Sequence, residues 1–238
     1  MKFDHNNISP LDNRYISKTG NTRHIFSEYN LIKTRFIIEI NWLLFLCEKN
    51  SKYFPKISLN SKNKIIKFRD SFNDKSVLKI KKIEKVTNHD VKAIEYFIRD
   101  FFQKDKGLSK YTNLIHFGLT SEDINSLSYA IIIKDGLTIY LNDLKNLNVN
   151  LKKLSSKWSS LPLLSKTHGQ PASPTTIGKE IKVFYSRLDR EIKIIKSIIP
   201  LAKFSGAVGN YHTFNVAVNE INWITFTKRF IKTFKIEQ

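Results

Sequence analysis

The sequence predicts an all-α protein: a small helical N-terminal domain followed by an incomplete bundle of long helices. Apolar residues recur at three- and four-residue spacing along most of the 238 positions. Leu137, Leu144, Leu151 and Trp158 add a seven-residue repeat, with Tyr140, Leu147 and Leu154 between them, which is the spacing of a bundle seam. Alternating apolar runs bounded by Asn-Gly or Asp-Gly turns, the marks of hairpins, are nearly absent. A boundary near Lys110 divides the chain into domains 1–110 and 111–238.

From the N-terminus, the residues Phe26, Leu31, Phe36, Ile37, Ile40, Leu43, Leu44 and Cys47 form one helical stripe over 24–49. Further helices are expected over about 62–84 and 91–104, with a turn at Thr87-Asn88-His89-Asp90, where Asn and Asp suit turn and cap positions. Thr120-Ser121-Glu122-Asp123 reads as a helix start, a cap followed by acids in the first turn. That helix runs to about 159, loosened around Gly136, and would be roughly 55 Å long. After a polar loop, Ser173 is the expected cap and Pro174 the first position of a second bundle helix, with the stripe Ile177, Ile181, Phe184, Leu188, Ile192, Ile195 and Ile199, ended by Pro200. A third helix is expected to begin near Ala217 and to be still running at Gln238.

Composition narrows the function classes. The chain carries 40 Lys and Arg against 21 Asp and Glu, a net charge of +19. Its basic residues are mostly lysines scattered over the whole length, which is the pattern of a solvated surface and not of a nucleic-acid-binding stripe. Some of that charge can still draw anionic substrates to a cleft. No run of about 20 apolar residues is present, and Met1-Lys2-Phe3-Asp4-His5 lacks the apolar core of a signal peptide, so the expectation is a cytoplasmic protein that neither spans nor binds a membrane. The single cysteine, Cys47, excludes an internal disulfide framework and reads as a small apolar filler on a helix.

The segment most suited to chemistry is Ser165-Lys166-Thr167-His168-Gly169-Gln170-Pro171-Ala172-Ser173-Pro174. Gly169 opens backbone angles closed to other residues, and Pro171 and Pro174 stiffen the backbone beyond it. Thr167, Gln170 and Ser173 offer hydrogen bonds that would orient the imidazole of His168, as a general acid or base requires. His89, His116 and His168 lack the paired spacing of zinc ligands, so no metal site is expected. Gly206-Ala207-Val208-Gly209-Asn210-Tyr211 has no strand before it and no Gly-Lys-Ser/Thr ending, and reads as a tight backbone passage between helices, not as a nucleotide loop.

Thr87-Asn88-His89-Asp90-Val91-Lys92-Ala93-Ile94-Glu95-Tyr96-Phe97, Thr120-Ser121-Glu122-Asp123-Ile124-Asn125 and the His168 loop occur in the order seen in the adenylosuccinate lyases of the fumarase/aspartase superfamily. The likeness extends from Ser9-Pro10-Leu11-Asp12-Asn13-Arg14-Tyr15 to Gly206–Tyr211, so the chain resembles that family along essentially its whole length. The resemblance implies β-elimination of fumarate from adenylosuccinate, giving AMP, and from SAICAR, giving AICAR, in purine biosynthesis, without a cofactor and in a homotetramer whose sites are shared between subunits. By the same resemblance, His168 donates a proton to the departing purine nitrogen, His89 with Asn88 and Asp90 lies by the substrate phosphate, Thr120 and Ser121 hold a substrate carboxylate, and Arg14 and Tyr15 contact the nucleotide.

Members of that family run to about twice this length. Their catalytic base is a serine in a Ser-Ser-x-Met-Pro-x-Lys-x-Asn loop, and here the sole methionine is Met1. The expectation is therefore a truncated lyase with little or no activity of its own, and the alternative is a noncatalytic helical assembly or partner protein derived from one.

Overall fold

The computed structural model describes residues 9–50 and 52–238. The described chain is 66% helical with a single two-stranded sheet, and the all-α expectation holds. It divides into two compact units, one of residues up to 133 together with 200–238, the other of residues 134–199.

In the first unit, α1 (Gly20–Phe26) leads into α2 (Glu28–Lys49), which Ser27 caps by accepting a hydrogen bond from the N–H of Asn30. The helix expected over 62–84 is two helices, α3 (Leu59–Asp70) and α4 (Asp74–Thr87). Asn73 makes the break: its side chain accepts from the N–H groups of Lys75 and Ser76, and the Ser76 hydroxyl accepts from the N–H of Asn73. Such a reciprocal cap starts a new helix more favourably than it continues an old one. Next comes α5 (Asp90–Gln103), and then a 3-10 turn at Ser109–Leu114.

The core of this unit is aromatic. Trp42, wholly buried in the middle of α2, packs its ring against Phe45, Phe204, Phe214, Phe226 and Phe230, and its indole N–H donates to the carbonyl of Phe117 at 2.9 Å. Burying each such ring removes roughly 150–250 Å² from water, or about 4–6 kcal/mol per ring at about 25 cal/mol/Å². This cluster explains why residues from 200 onward return to the first unit. They form α8 (His212–Ala217) and α9 (Trp223–Lys232), and α9 contributes buried Trp223, Phe226 and Phe230. The expected third bundle helix therefore does not run to Gln238. The chain stops being helical after Lys232, and the N–H of Ala202 donates to the carbonyl of Glu237.

The second unit holds the later part of α6 (Ser121–Lys157), a hairpin of β1 (Pro162–Thr167) and β2 (Gln170–Thr176), and α7 (Ile177–Ser197). Here three expectations are corrected. The segment around His168 is an antiparallel hairpin, not a loop, with Lys166 opposite Pro171 and Thr167 opposite Gln170. Ser173 and Pro174 lie within β2, and α7 is capped instead by Thr176, whose hydroxyl accepts from the N–H of Lys179 at 3.2 Å. Leu137, Leu144, Leu151 and Trp158 are only half-buried, and Tyr140 and Leu147 are exposed. One facing helix and one hairpin offer too little surface to cover a complete seam. α6 and α7 are joined by the Lys152–Asp189 ion pair at 2.8 Å, by Asn148 donating to Asp189, and by the Ser155 hydroxyl donating to the carbonyl of Gly178 at 2.6 Å. A Cβ at Gly178 would run into the Ser155 carbonyl, so the close crossing needs glycine there.

Candidate active site

Asn88 ends α4 in the left-handed conformation (φ 51°), a conformation Asn tolerates well, and its N–H donates to the carbonyl of Glu84 at 2.8 Å. His89 then caps α5. Its Nδ1 accepts from the N–H of Lys92 at 3.2 Å, which requires a lone pair there and leaves the ring proton on Nε2. Nε2 faces the hydroxyl of Ser121 at 3.4 Å. Two motifs 32 positions apart thus meet through side chains.

Asp90 opens the first turn of α5 and pairs with the buried guanidinium of Arg35 at 2.7 Å. Burial works to raise the Asp90 pKa, but the N–H of Val91 and the charge of Arg35 outweigh it and hold the carboxyl below its ordinary range. Asn88, His89 and Asp90 line an open cleft of about 670 Å³ with Lys81, Glu84 and Lys85. Lys81 is already engaged, bridging Glu28 at 2.7 Å and Glu84 at 2.9 Å. Neither lysine stands out in the sequence, because one face of a lysine-rich helix looks like solvated surface until the cleft is seen.

Ser121 opens α6 and Thr120 immediately precedes it, so both stand at a helix N-terminus where N–H groups and the helix dipole favour an anion. The group that holds this end is not legible as such in the motif. Asp123, wholly buried, accepts from the N–H of Thr120 at 2.9 Å, from Lys203 Nζ at 2.9 Å, from the N–H of Ser205 at 2.9 Å and from the N–H of Gly206 at 3.1 Å. The glycine-rich passage, with Gly206 and Gly209 at φ 83° and 82°, is thereby tied to the first turn of α6. The sequence shows Asp123 only as a first-turn acid, and nothing local could reveal partners 80 or more positions away.

Arg14 and Tyr15 lie in the turn after Pro10–Asp12, both exposed, with the guanidinium carbon 5.4 Å from the adjacent ring centroid. Neither lines the Asn88–His89 cleft. His168 belongs to the second unit. It and Gly169 form the two-residue hairpin turn at φ 49° and 78°, both positive as in a type I′ turn, and the side chain is exposed. Among the described residues, no hydrogen bond from Thr167, Gln170 or Ser173 reaches its imidazole, because the tight turn projects the tip residue away from its own strands.

A family described as "Lyase" matches residues 13–236. The adenylosuccinate lyase of Buchnera aphidicola from Acyrthosiphon pisum is 43% identical over 235 residues, spanning 96% of this chain and 51% of that protein. That of Vibrio cholerae is 41% identical over 226 residues (94% and 50%), and that of Escherichia coli K12 38% over 232 (97% and 51%). Among solved structures, a fumarate lyase from Mesorhizobium sp. BNC1 superposes with a TM-score of 0.73 at 18% identity, covering 91% of this chain and 48% of its own. The β-carboxy-cis,cis-muconate cycloisomerase of Acinetobacter calcoaceticus superposes with a TM-score of 0.72 at 17% identity. At those identities the structural likeness speaks for the fold, and the sequence likeness for the family. The chain spans about half the length of the curated relatives it matches, and it belongs to the lyase family of the fumarase/aspartase superfamily.

Proposed function

We propose that this chain supplies part of the active site of an adenylosuccinate lyase acting on adenylosuccinate and SAICAR in purine biosynthesis, in the cytoplasm and as a homo-oligomer. The observation that carries the reading is the approach of His89 Nε2 to the Ser121 hydroxyl at 3.4 Å beside the lysine-flanked cleft. A phosphate-positioning histidine and a carboxylate-binding helix N-terminus are two things an elimination on a succinylated nucleotide needs close together.

In this reading the cleft takes the phosphate near Asn88, His89 and Lys85, with Arg14 and Tyr15 as further nucleotide contacts. Thr120 and Ser121 hold a succinyl carboxylate, which stabilises charge as the Cβ proton leaves. His168 protonates the departing nitrogen. Its exposure at the hairpin tip leaves the imidazole accessible to a ligand. The division into an N-terminal helical domain over 1–110 and the first part of a central bundle over 111–238 belongs to the same proposal. So does the homotetramer, favoured by exposed Tyr140, Leu147, Phe184 and Ile194 on α6 and α7. No helix among the described residues is long and apolar enough to cross a bilayer.

The test is absorbance-monitored cleavage of adenylosuccinate by this chain mixed with a C-terminal lyase half that contains the serine loop. Turnover is expected from the mixture and little from this chain alone. His168→Ala should lower the mixture's rate on the order of 10²–10⁴-fold. A folded, associated mixture without turnover, or full activity after His168→Ala, overturns the proposal.

A further inference from the structure

The first unit also holds a cluster of charged groups that the proposed chemistry does not use. His116 sits in the connection between the 3-10 turn at Ser109–Leu114 and α6, with its side chain 11% exposed. Its Nδ1 lies 2.6 Å from a carboxylate oxygen of Glu39 on α2, and its Nε2 lies 3.7 Å from one of Glu95 on α5. Both carboxylates are almost wholly out of water, at 0% and 2% side-chain exposure. Among the described residues, the other charged group engaged with the cluster is Lys92 on α5, which pairs with Glu95 at 2.9 Å. Two buried negative charges therefore face one lysine and one imidazole. A protonated imidazole balances them, and an uncompensated buried carboxylate is expensive. Glu39 Oε2 and Glu95 Oε1 have no hydrogen-bond partner among the described residues, so the ring's charge is their available compensation.

The backbone around His116 is unusual too. His116 has φ 61° and Gly118 φ 73°, and a Cβ at Gly118 would meet the ring of Phe214. Arg99 donates to the carbonyl of Ile115 at 3.4 Å, Trp42 to that of Phe117 at 2.9 Å, and the N–H of Leu119 to the carbonyl of His116 at 3.3 Å. A left-handed non-glycine residue persists where its surroundings over-determine it. Two residues after Gly118 comes Thr120, and then Ser121.

We propose that His116 is a positioning residue: held between the carboxylates of Glu39 and Glu95, it fixes residues 115–119 and thereby sets where Thr120 and Ser121 present the N-terminus of α6. Its relevance to catalysis rests on the functional reading above; the clamp does not, and is tested on the chain by itself. Burial disfavours charge on His116, but the charge and hydrogen bond of Glu39 and the charge of Glu95 outweigh it, and its pKa lies above the ordinary 6.5. A raised folded pKa gives stability that is complete below 6.5 and is lost as pH climbs through the folded value. The connection should accordingly loosen on the alkaline side.

The test is nuclear magnetic resonance on the wild-type chain, His116→Asn and Glu39→Gln. Asn tolerates the left-handed conformation, so His116→Asn removes charge without new backbone strain. In the wild type the His116 ring should titrate above 6.5, and Glu39→Gln should move that titration down. Exchange of the Leu119 and Thr120 amides, corrected for intrinsic base catalysis, should speed up as the ring loses its proton, and His116→Asn should show that faster exchange, by at least about tenfold, at every pH. A wild-type ring titrating at or below 6.5 overturns the proposal even if neither variant folds, as does unchanged protection of the two amides in His116→Asn. Failure of the complementation assay with these results intact would remove the functional reading and leave the clamp standing.

Discussion

Asp123 is a wholly buried anchor in the first unit, and Asp123→Asn isolates its charge at constant shape. The carboxylate takes four donors, the N–H groups of Thr120, Ser205 and Gly206 and the ammonium of Lys203, and is wholly buried. An amide keeps one acceptor oxygen and turns the other into a donor that must face a donor. About half of the interactions are lost, and hydrogen bonds involving a charged group are worth about 1.5–3 kcal/mol each. Lys203 is 33% exposed at its side chain and can regain water, which favours the lower end, about 3 kcal/mol. The assay is urea unfolding followed by tryptophan fluorescence in a Trp158→Phe background, where Trp42 and Trp223 report on the first unit alone. With a slope of about 1–3 kcal/mol/M, the midpoint should fall by at least about 1 M. A loss below about 1 kcal/mol would show that the 203–206 segment is held by its apolar neighbours, and that the carboxylate anchor is not what fixes it.

Three further outcomes are expected from packing and charge. Gly178→Ala pushes a Cβ into the Ser155 carbonyl and should destabilise the second unit by about 1–3 kcal/mol, read from Trp158 fluorescence in denaturant; a neutral result would mean that α6 and α7 slide apart freely. Burial first, and then the charge of Glu48, push the Cys47 thiol up to about 12, so it should resist alkylation in the native chain at pH 8 and react only on unfolding, as mass spectrometry would show. Asp90 contributes stability that is complete above its ordinary 3.8 and is lost as pH falls through its lowered folded value; acid unfolding of Arg35→Met should lack this component, and identical acid limbs in the two proteins would refute the pairing.

The helices were legible because apolar periodicity and first-turn caps are local, and the Thr120–Asp123 start is read within a few residues. Where the pattern misleads, a second local signal competes. Ile and Lys periodicity carries the expected helix across Asn73, and Pro171 and Pro174 argue against a strand although His168-Gly169 suits a type I′ turn. The candidate residues could be named from their motifs, but not the lysines of their cleft or the buried partners that hold them.

The sequence by itself determined the helical class, the long α6 beginning at Ser121, the candidate residues and the family likeness, since all of these are written in short-range spacing or in motifs. Tertiary structure decided which of those residues meet. The contacts of His89 with Ser121, His116 with Glu39 and Asp123 with Lys203 join positions 32, 77 and 80 apart. Contacts at such separation are selected by the burial of Trp42 and its aromatic neighbours and by the cost of leaving a buried charge unpaired. Both are properties of the packed chain, and no window of sequence contains them.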